Sequence, residues 1–252
     1  MKSKTILFLS ILSFLLACKS EKKSEKRTSI ESEKKDTIAA TGQPSLTFKW
    51  STDTLLKTPE SVIHHNGNFY VSCIGNVPPE AKDKDGYIAI VDGQGKITNQ
   101  KWISGLNGPK GMGIKGDSLY VTDVDQLVII EISKSKIVKR IPIKGAKFLN
   151  DIDISENGIV YISDTYTNTI HYFDGKEIKP LIVNEALGNP NGIYSRGDVL
   201  TVSSFGKAEV YTIDTKNPSV IVKTDSLQGG DGVEAYLDGY LVSNWNGEIY
   251  FI

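Results

Sequence analysis

Five polar residues recur along the chain at a spacing that would let them act together. They are Glu60, Lys110, Asn150, Asn191 and Asp231, and successive members lie about 40 to 50 residues apart. Two carboxylates and two amide carbonyls are the oxygen ligands that Ca²⁺ prefers in proteins, with water completing a shell of about six to eight. Zinc would favour His or Cys, and neither occurs at these positions.

A regular spacing of this length indicates repeated structural units. Each repeat opens with the aligned polar residue and a short apolar run, followed by a tight turn and a second apolar run. The turns are Asn66-Gly67, Lys115-Gly116, Asn157-Gly158, Arg196-Gly197 and Asp238-Gly239. Asn-Gly and Asp-Gly between apolar runs are strong hairpin signals. Because every repeat has this separate turn, the aligned residues are not needed to form it.

Further strand-like runs complete each repeat. A third run occurs in all five repeats, at 87–91, 127–132, 169–173, 209–213 and 248–252. A fourth, more polar run occurs in four of them, at 96–99, 137–141, 177–182 and 219–223. Four strands per 40 residues or so is typical of a β-propeller blade. The sequence therefore predicts an all-β fold, a β-propeller of four-stranded blades with five repeats visible.

The last repeat lacks a fourth run. We expect Leu46–Trp50 to supply that outer strand, which would close the ring with both ends of the chain and remove exposed sheet edges. Tyr194 and Trp245 are expected to pack between blades, with a place in the wall of the pocket as the alternative. His64 and His65 point to opposite faces of a strand and are expected at the surface.

The innermost strands of a propeller line its central channel, so residues that start those strands converge there. We therefore expect Glu60, Asn150, Asn191 and Asp231 to hold one metal ion. Lys110 is expected to contribute a charge at the channel, where it could orient an anionic substrate. The side chain of Asp151 is expected to support the ligands from behind.

The pattern resembles the gluconolactonase/regucalcin family, and more widely the squid-type diisopropylfluorophosphatases and the paraoxonases. Pro59-Glu60 is similar to the Pro-Glu-Gly element of the family, with Ser61 in place of Gly. Asn150-Asp151, Asn191-Gly192 and Asp231-Gly232 are similar to its other metal-binding elements, and the resemblance spans residues 45–252. These relatives are six-bladed, which implies either an unusual five-bladed ring or a chain that stops one repeat short; the end inside a strand favours the second.

The resemblance implies a calcium-dependent hydrolase that opens a lactone or related ester, although another divalent cation could serve. Asp231 would act as base or nucleophile as well as ligand, and Asn150 would contact both the ion and the substrate. The alternative is a non-catalytic, membrane-anchored propeller that binds a peptide or a glycan. No Arg-containing substrate loop matches the sugar-lactone enzymes, which favours this alternative.

The N-terminus predicts export. Lys2 and Lys4 precede a short apolar run, and Leu15-Leu16-Ala17-Cys18 resembles a bacterial lipobox. Residues 1–17 would be a lipoprotein signal peptide and Cys18 the lipidation site; an ordinary signal peptide with an incidental Cys is the alternative. Residues 18–44 are rich in charge and predict a disordered tether, with the propeller at 45–252.

Composition limits the partners. The chain of 252 residues carries 29 basic and 30 acidic residues, without the basic excess that is usual in a nucleic-acid binder. With Cys18 lipidated, Cys73 has no partner for a disulfide. We expect a monomer in the bacterial cell envelope, held to the membrane by its lipid and acting on a small molecule.

Overall fold

The computed structural model describes residues 47–224 and 227–252, and the strands within them form five antiparallel sheets. The first sheet contains β1 (Pro59–His65), β2 (Asn68–Cys73), β3 (Gly86–Asp92) and β4 (Ile97–Leu106). The second contains β5 (Pro109–Lys115), β6 (Ser118–Asp123), β7 (Gln126–Glu131) and β8 (Lys136–Pro142). In both sheets neighbours in sequence are neighbours in space.

The remaining sheets repeat this order. The third contains β9 (Leu149–Ile154), β10 (Val160–Asp164), β11 (Thr169–Phe173) and β12 (Ile178–Val183). The fourth contains β13 (Pro190–Arg196), β14 (Val199–Ser204), β15 (Val210–Asp214) and β16 (Val220–Thr224), and the fifth β17 (Gly230–Tyr236), β18 (Gly239–Asn244) and β19 (Ile249–Phe251). Two short 3-10 turns, Thr165–Thr167 and Glu185–Leu187, are the only helical segments in the described residues.

The blades pack side by side through their first strands, β1 on β5, β5 on β9, β9 on β13 and β13 on β17. This arrangement of antiparallel sheets is a β-propeller, which confirms the predicted all-β fold. The hairpin turns are also confirmed. Asn66 takes a positive φ of 50° and Gly67 of 79°, as a two-residue hairpin of this type requires.

Apolar side chains fill the space between blades. One cluster joins the first two blades around Ile88, Leu119 and Ile130, all fully buried. Others join the third and fourth blades around Leu200 and Tyr211. The burial of these aliphatic and aromatic side chains holds successive sheets face to face.

The predicted closing strand is wrong for the part that the structure describes. Residues 47–50 form no strand, and the fifth sheet has three strands. Trp50 instead packs its ring against Phe69 of the first blade, with centroids 5.5 Å apart and an edge-to-face geometry. An edge-to-face aromatic pair of this kind contributes about 0.5–1.5 kcal/mol beyond the area that it buries, which favours this placement of Trp50.

The predicted signal peptide, the lipidation site Cys18 and the tether at 18–44 lie outside the described residues. Across residues 47–224 and 227–252, no helix is long and apolar enough to cross a membrane.

Candidate functional site

A cavity of about 500 Å³ runs along the first strands of the blades. Four of the predicted site residues start those strands and line it, namely Glu60, Asn150, Asn191 and Asp231. Asp151 lines it as well. Residues from different blades, far apart along the chain, therefore meet around one space, as the repeat predicts.

The cavity lining is most exposed on the first and last blades. Val62 on β1 and Ile249 on β19 both line it and are 61% and 52% exposed. In contrast, the first four residues of β5 and of β13 are buried. Water and small molecules can therefore reach the cavity on this side.

A bulge in the first hairpin of every blade presents the aligned residue. The pairing of the first two strands shifts between Pro190 and Ile193 in the fourth blade, and the same shift occurs at the aligned position of the other four. An extra residue in one strand bends it and re-aims its side chain. The bulge is the local reason that Asn191 and its counterparts leave the plane of the sheet.

A row of hydroxyl groups, which sequence reasoning missed, fixes these bulges. The row consists of Ser72, Thr122, Ser163, Ser203 and Ser243, at one position in the second strand of each blade. Four of these hydroxyls accept a hydrogen bond from the N–H that follows the aligned residue, for example Gly192 N–H to Ser203 Oγ at 3.0 Å. The signal was visible, because each second run carries Ser or Thr at the same place.

The same hydroxyls join neighbouring blades. Thr122 donates to the carbonyl of Asn150 at 2.5 Å and Ser163 to that of Asn191 at 2.7 Å. Ser203 donates in turn to the carbonyl of Asp231 at 2.5 Å. Ser163 and Ser203 thus each satisfy an N–H of their own blade and a carbonyl of the next, and so set the position of the next aligned residue relative to their own blade.

Close packing of the backbones requires glycine after the aligned residue in the second and fourth blades. A Cβ on Gly192 would lie 1.9 Å from the carbonyl oxygen of Asp231, and one on Gly111 would lie 2.5 Å from Cα of Asp151. Any larger residue would push the blades apart. The Gly of the predicted Asn-Gly element therefore has a packing reason beyond turn formation.

The amide groups of the two asparagines are held in one orientation. Asn191 donates from Nδ2 to Oδ1 of Asp231 at 3.0 Å, and Asn150 donates from Nδ2 to the hydroxyl of Thr165 at 3.1 Å. Within the described residues, the Oδ1 atoms of Asn150 and Asn191 accept no hydrogen bond from the protein. Their carbonyl oxygens are therefore free to serve as ligands.

Asp151 links two blades. Its Oδ2 accepts a hydrogen bond from the backbone N–H of Ile193 at 3.0 Å, and its Oδ1 accepts one from Ile152 at 2.8 Å. This carboxylate therefore ties the third blade to the strand that carries Asn191, and its role in supporting metal ligands stays a prediction.

The carboxyl groups around the cavity lie in a poorly solvated surrounding. The side chain of Glu60 is exposed to the open cavity, yet nearby protein atoms displace much of its hydration, and this desolvation together with Asp151 and Asp231 raises its pKa to about 8 against the pull of Lys110. Burial likewise raises the pKa of Asp151 to about 7. The pKa of Asp231 is raised by burial and lowered in part by the hydrogen bond from Asn191.

Lys110 lies behind the cavity wall. Its side chain is 1% exposed, and its ammonium group donates to the carbonyls of Pro79 and Gly108 at 3.3 and 3.2 Å. The ring of Phe148 lies 4.1 Å from Nζ, in a cation–π contact. Its positive charge lowers the pKa of Glu60. Lys110 is not among the residues that line the cavity.

The residues present fit a hard divalent cation. No three His, Cys, Asp or Glu side chains within 47–224 and 227–252 form a metal cluster on their own, so amide oxygens must complete any shell. Two carboxylates and two free amide oxygens supply four ligands, and the open cavity admits water for the others. A cation would also relieve the mutual repulsion that contributes to the raised pKa of Glu60.

Similarity to known proteins supports the fold alone. No protein-family model matches the chain, and none of the curated proteins matches it. Among solved structures, a nidogen/laminin complex is 19% identical with a TM-score of 0.62, and the similarity covers 76% of this chain and 73% of that one. Virginiamycin B lyase from Staphylococcus aureus is 15% identical with a TM-score of 0.58, covering 78% and 70%.

A second lyase structure, an inactive variant from Staphylococcus aureus with quinupristin, is 13% identical with a TM-score of 0.52 and covers 79% and 85%. These identities are too low to carry an activity from one protein to another. Fold and neighbours together define the class: the chain is a β-propeller whose blades enclose a carboxylate- and amide-lined cavity.

Proposed function

We propose that the protein is a metal-dependent hydrolase that opens a lactone or a related ester. The observation that carries the proposal is the convergence of Glu60, Asp231 and two oriented amides on one water-accessible cavity. Ca²⁺, or another divalent cation, would be held by Glu60, Asn150, Asn191 and Asp231. A bound cation would supply Lewis acidity toward the ester carbonyl oxygen.

Asp231 is the best candidate for general base. Burial raises its pKa and so makes it a stronger base than an ordinary aspartate, and the Asn191 amide fixes one of its oxygens so that the other can face a water molecule. Oxygen of that water would bond to the carbonyl carbon while Asp231 takes its proton. The ester C–O bond would then break, and the leaving alkoxide would recover the proton from Asp231.

The other residues would position the reactants. Asn150 would contact the substrate as well as the ion, since its carbonyl oxygen is free and its amide nitrogen is held by Thr165. The buried ammonium of Lys110 would favour the charged form of Glu60. Asp151 would keep the third and fourth blades in register.

A substrate screen tests the proposal. Wild-type protein and Asp231→Ala would be assayed in calcium against a panel of γ- and δ-lactones and aryl esters, with EGTA as the metal-free control. We expect turnover by wild type that is lost both in EGTA and in Asp231→Ala. Cation binding without turnover on any substrate of the panel would contradict the proposal and leave the cavity as a binding site.

The second candidate is a non-catalytic propeller that binds a peptide or a glycan, anchored to the membrane through a lipid on Cys18. The exposed aromatic pair Phe205 and Trp245 favours it, because large exposed aromatic side chains mark interaction sites. We propose the bacterial cell envelope as the location and a monomer as the state in both cases. Metabolic labelling with a fatty-acid analogue, comparing wild type with Cys18→Ala, tests the anchor.

A further inference from the structure

Phe205 and Trp245 form an aromatic corner on the surface of the last two blades. Each directly follows the last residue of the second strand of its blade, Ser204 in one and Asn244 in the other. Phe205 is 42% exposed and Trp245 is 74% exposed. Their ring planes are 85° apart with centroids at 6.1 Å, so one ring forms a floor and the other a wall.

The expectation that Trp245 packs between blades is therefore wrong. The strand β18 ends at Asn244, whose side-chain carbonyl accepts a hydrogen bond from the N–H of Glu248 and so starts a turn. Trp245 lies in that turn and projects outward. Tyr194, by contrast, does pack between blades, in an edge-to-face contact with Tyr240 at 5.8 Å.

A pocket of about 230 Å³ lies at this corner and shares no residue with the main cavity. Among the described residues that line it, the polar side chains are Lys207, Gln228 and Asn246, and none is acidic. Amide groups both donate and accept hydrogen bonds, so they match a ligand that carries many hydroxyl groups.

The backbone holds the corner in place before any ligand binds. The N–H of Phe205 donates to the carbonyl of Asn189, and the N–H of Trp245 donates to that of Gly229, both at 2.9 Å. Gly206 cannot carry a side chain, because a Cβ there would lie 2.2 Å from Oδ1 of Asn189. Such preorganisation lowers the entropic cost of binding.

We propose that this aromatic corner is a saccharide-binding site. The C–H face of a sugar ring would lie on the indole of Trp245, the ring of Phe205 would contact its edge, and Gln228 and Asn246 would bond its hydroxyls. A peptide strand fits less well, since the N–H groups of Phe205 and Trp245 are already bonded within the protein. The site stands independently of the hydrolase proposal and requires no metal ion.

Tryptophan fluorescence measures the binding directly. The chain has three tryptophans. Trp50 and Trp102 are half-buried and Trp245 is exposed, so acrylamide quenches Trp245 preferentially. The probes are hexasaccharides of β-1,4-glucose, α-1,4-glucose and β-1,4-N-acetylglucosamine, titrated in EGTA. We expect at least one of them to protect Trp245 from acrylamide in a saturable manner.

Trp245→Ala and Phe205→Ala test the corner, with binding by these variants followed by calorimetry. We expect each to weaken saccharide binding by at least about tenfold. Tyr236→Ala is the matched control, because Tyr236 is also exposed, forms an edge-to-face pair with Phe251, and lies at the other end of strand β17 in the same blade. It should bind as wild type does, and near-wild-type thermal melting would show that each variant folds.

Three results would overturn the proposal. One is that no hexasaccharide protects Trp245 at millimolar concentration. Another is that Trp245→Ala binds saccharide as tightly as wild type. The third is protection of Trp245 by a proline-rich peptide and by none of the saccharides, which would assign the corner to a peptide. Lactone turnover is measured separately, so failure here leaves the hydrolase proposal untouched.

Discussion

Two rows of side chains, one on the first strands of the blades and one on the second strands, differ in their function. The hydroxyl row (Ser72, Thr122, Ser163, Ser203 and Ser243) is chemically uniform from blade to blade. The aligned row (Glu60, Lys110, Asn150, Asn191 and Asp231) changes at almost every blade. All five hydroxyls bond to backbone groups near the aligned residues, whereas four of the five aligned side chains line the cavity. The difference separates what builds the blades from what the cavity does.

The comparison predicts that changes beside the hydroxyl row damage the fold and changes in the aligned row damage ion binding. The largest effect is expected for Gly192→Ala, since the added Cβ would lie 1.9 Å from the Asp231 carbonyl oxygen. We expect a loss of about 3 kcal/mol in the free energy of unfolding, measured with urea in EGTA.

Gly93→Ala is the control for this substitution. The nearest atom to a Cβ at Gly93 is the Gly67 carbonyl oxygen at 3.9 Å, and its φ is not positive. Its free energy of unfolding should stay within about 0.5 kcal/mol of wild type. Equal stability of the two variants would show that blade packing at Gly192 is looser than the structure indicates.

Asp231→Asn is expected to have the next largest effect, and only on the ion. The substitution keeps the shape but removes one of the two ligand carboxylates, so calcium affinity should fall by at least about 100-fold. The stability without metal should hold or rise, because a carboxylate whose pKa burial raises is replaced by a neutral amide. Calorimetric titration and urea unfolding measure the two quantities. Unchanged calcium affinity would remove Asp231 from the ligand set.

Ser203→Ala should show the reverse pattern. It leaves the N–H of Gly192 and the carbonyl of Asp231 without their buried partner, and we expect a loss of about 2 kcal/mol in the free energy of unfolding. Calcium affinity should change by less than about tenfold, because no ligand atom is removed.

Ser195→Ala is the matched control in the same blade. The Ser195 hydroxyl is buried, and within the described residues it has no hydrogen-bond partner. Its removal should leave stability unchanged or raise it. If both serines gave the same loss, the hydroxyl row would have no special role.

The smallest effect is expected from pH on the metal-free protein. Glu60, with a pKa raised to about 8, and Asp151, with a pKa raised to about 7, bind protons more tightly in the folded state than in the unfolded chain. The stability that this contributes is present at low pH and is lost as pH rises through these values. In EGTA, the melting temperature should therefore fall by several degrees between about pH 5 and pH 8.5.

Calcium should cancel most of that fall. The ion stabilises the charged carboxylates that repel one another, and Asp153, Glu234 and the buried Lys110 complete the charged surroundings. A melting temperature in EGTA that rises over this pH range would show that the cavity carboxylates are well solvated.

The sequence predicted the fold from short-range chemistry. Asn66-Gly67 and its counterparts specify hairpins locally, and the blade spacing then places Asn150 and Asn191 at equivalent positions. Two of the misplacements depended on partners further along the chain, because Trp50 packs against the ring of Phe69 and Lys110 is buried beneath Phe148. No local pattern encodes such contacts. The outward position of Trp245 has a local cause instead, the turn that starts at Asn244, which sequence reasoning missed.

Calcium titration of the wild-type protein at about pH 8, in two buffers that differ in ionisation enthalpy, tests the central claim most directly. The account predicts one ion per chain, with protons released on binding, because carboxyl groups with raised pKa values must lose them when a cation binds. An absence of binding heat together with an unchanged melting temperature in millimolar calcium would contradict it.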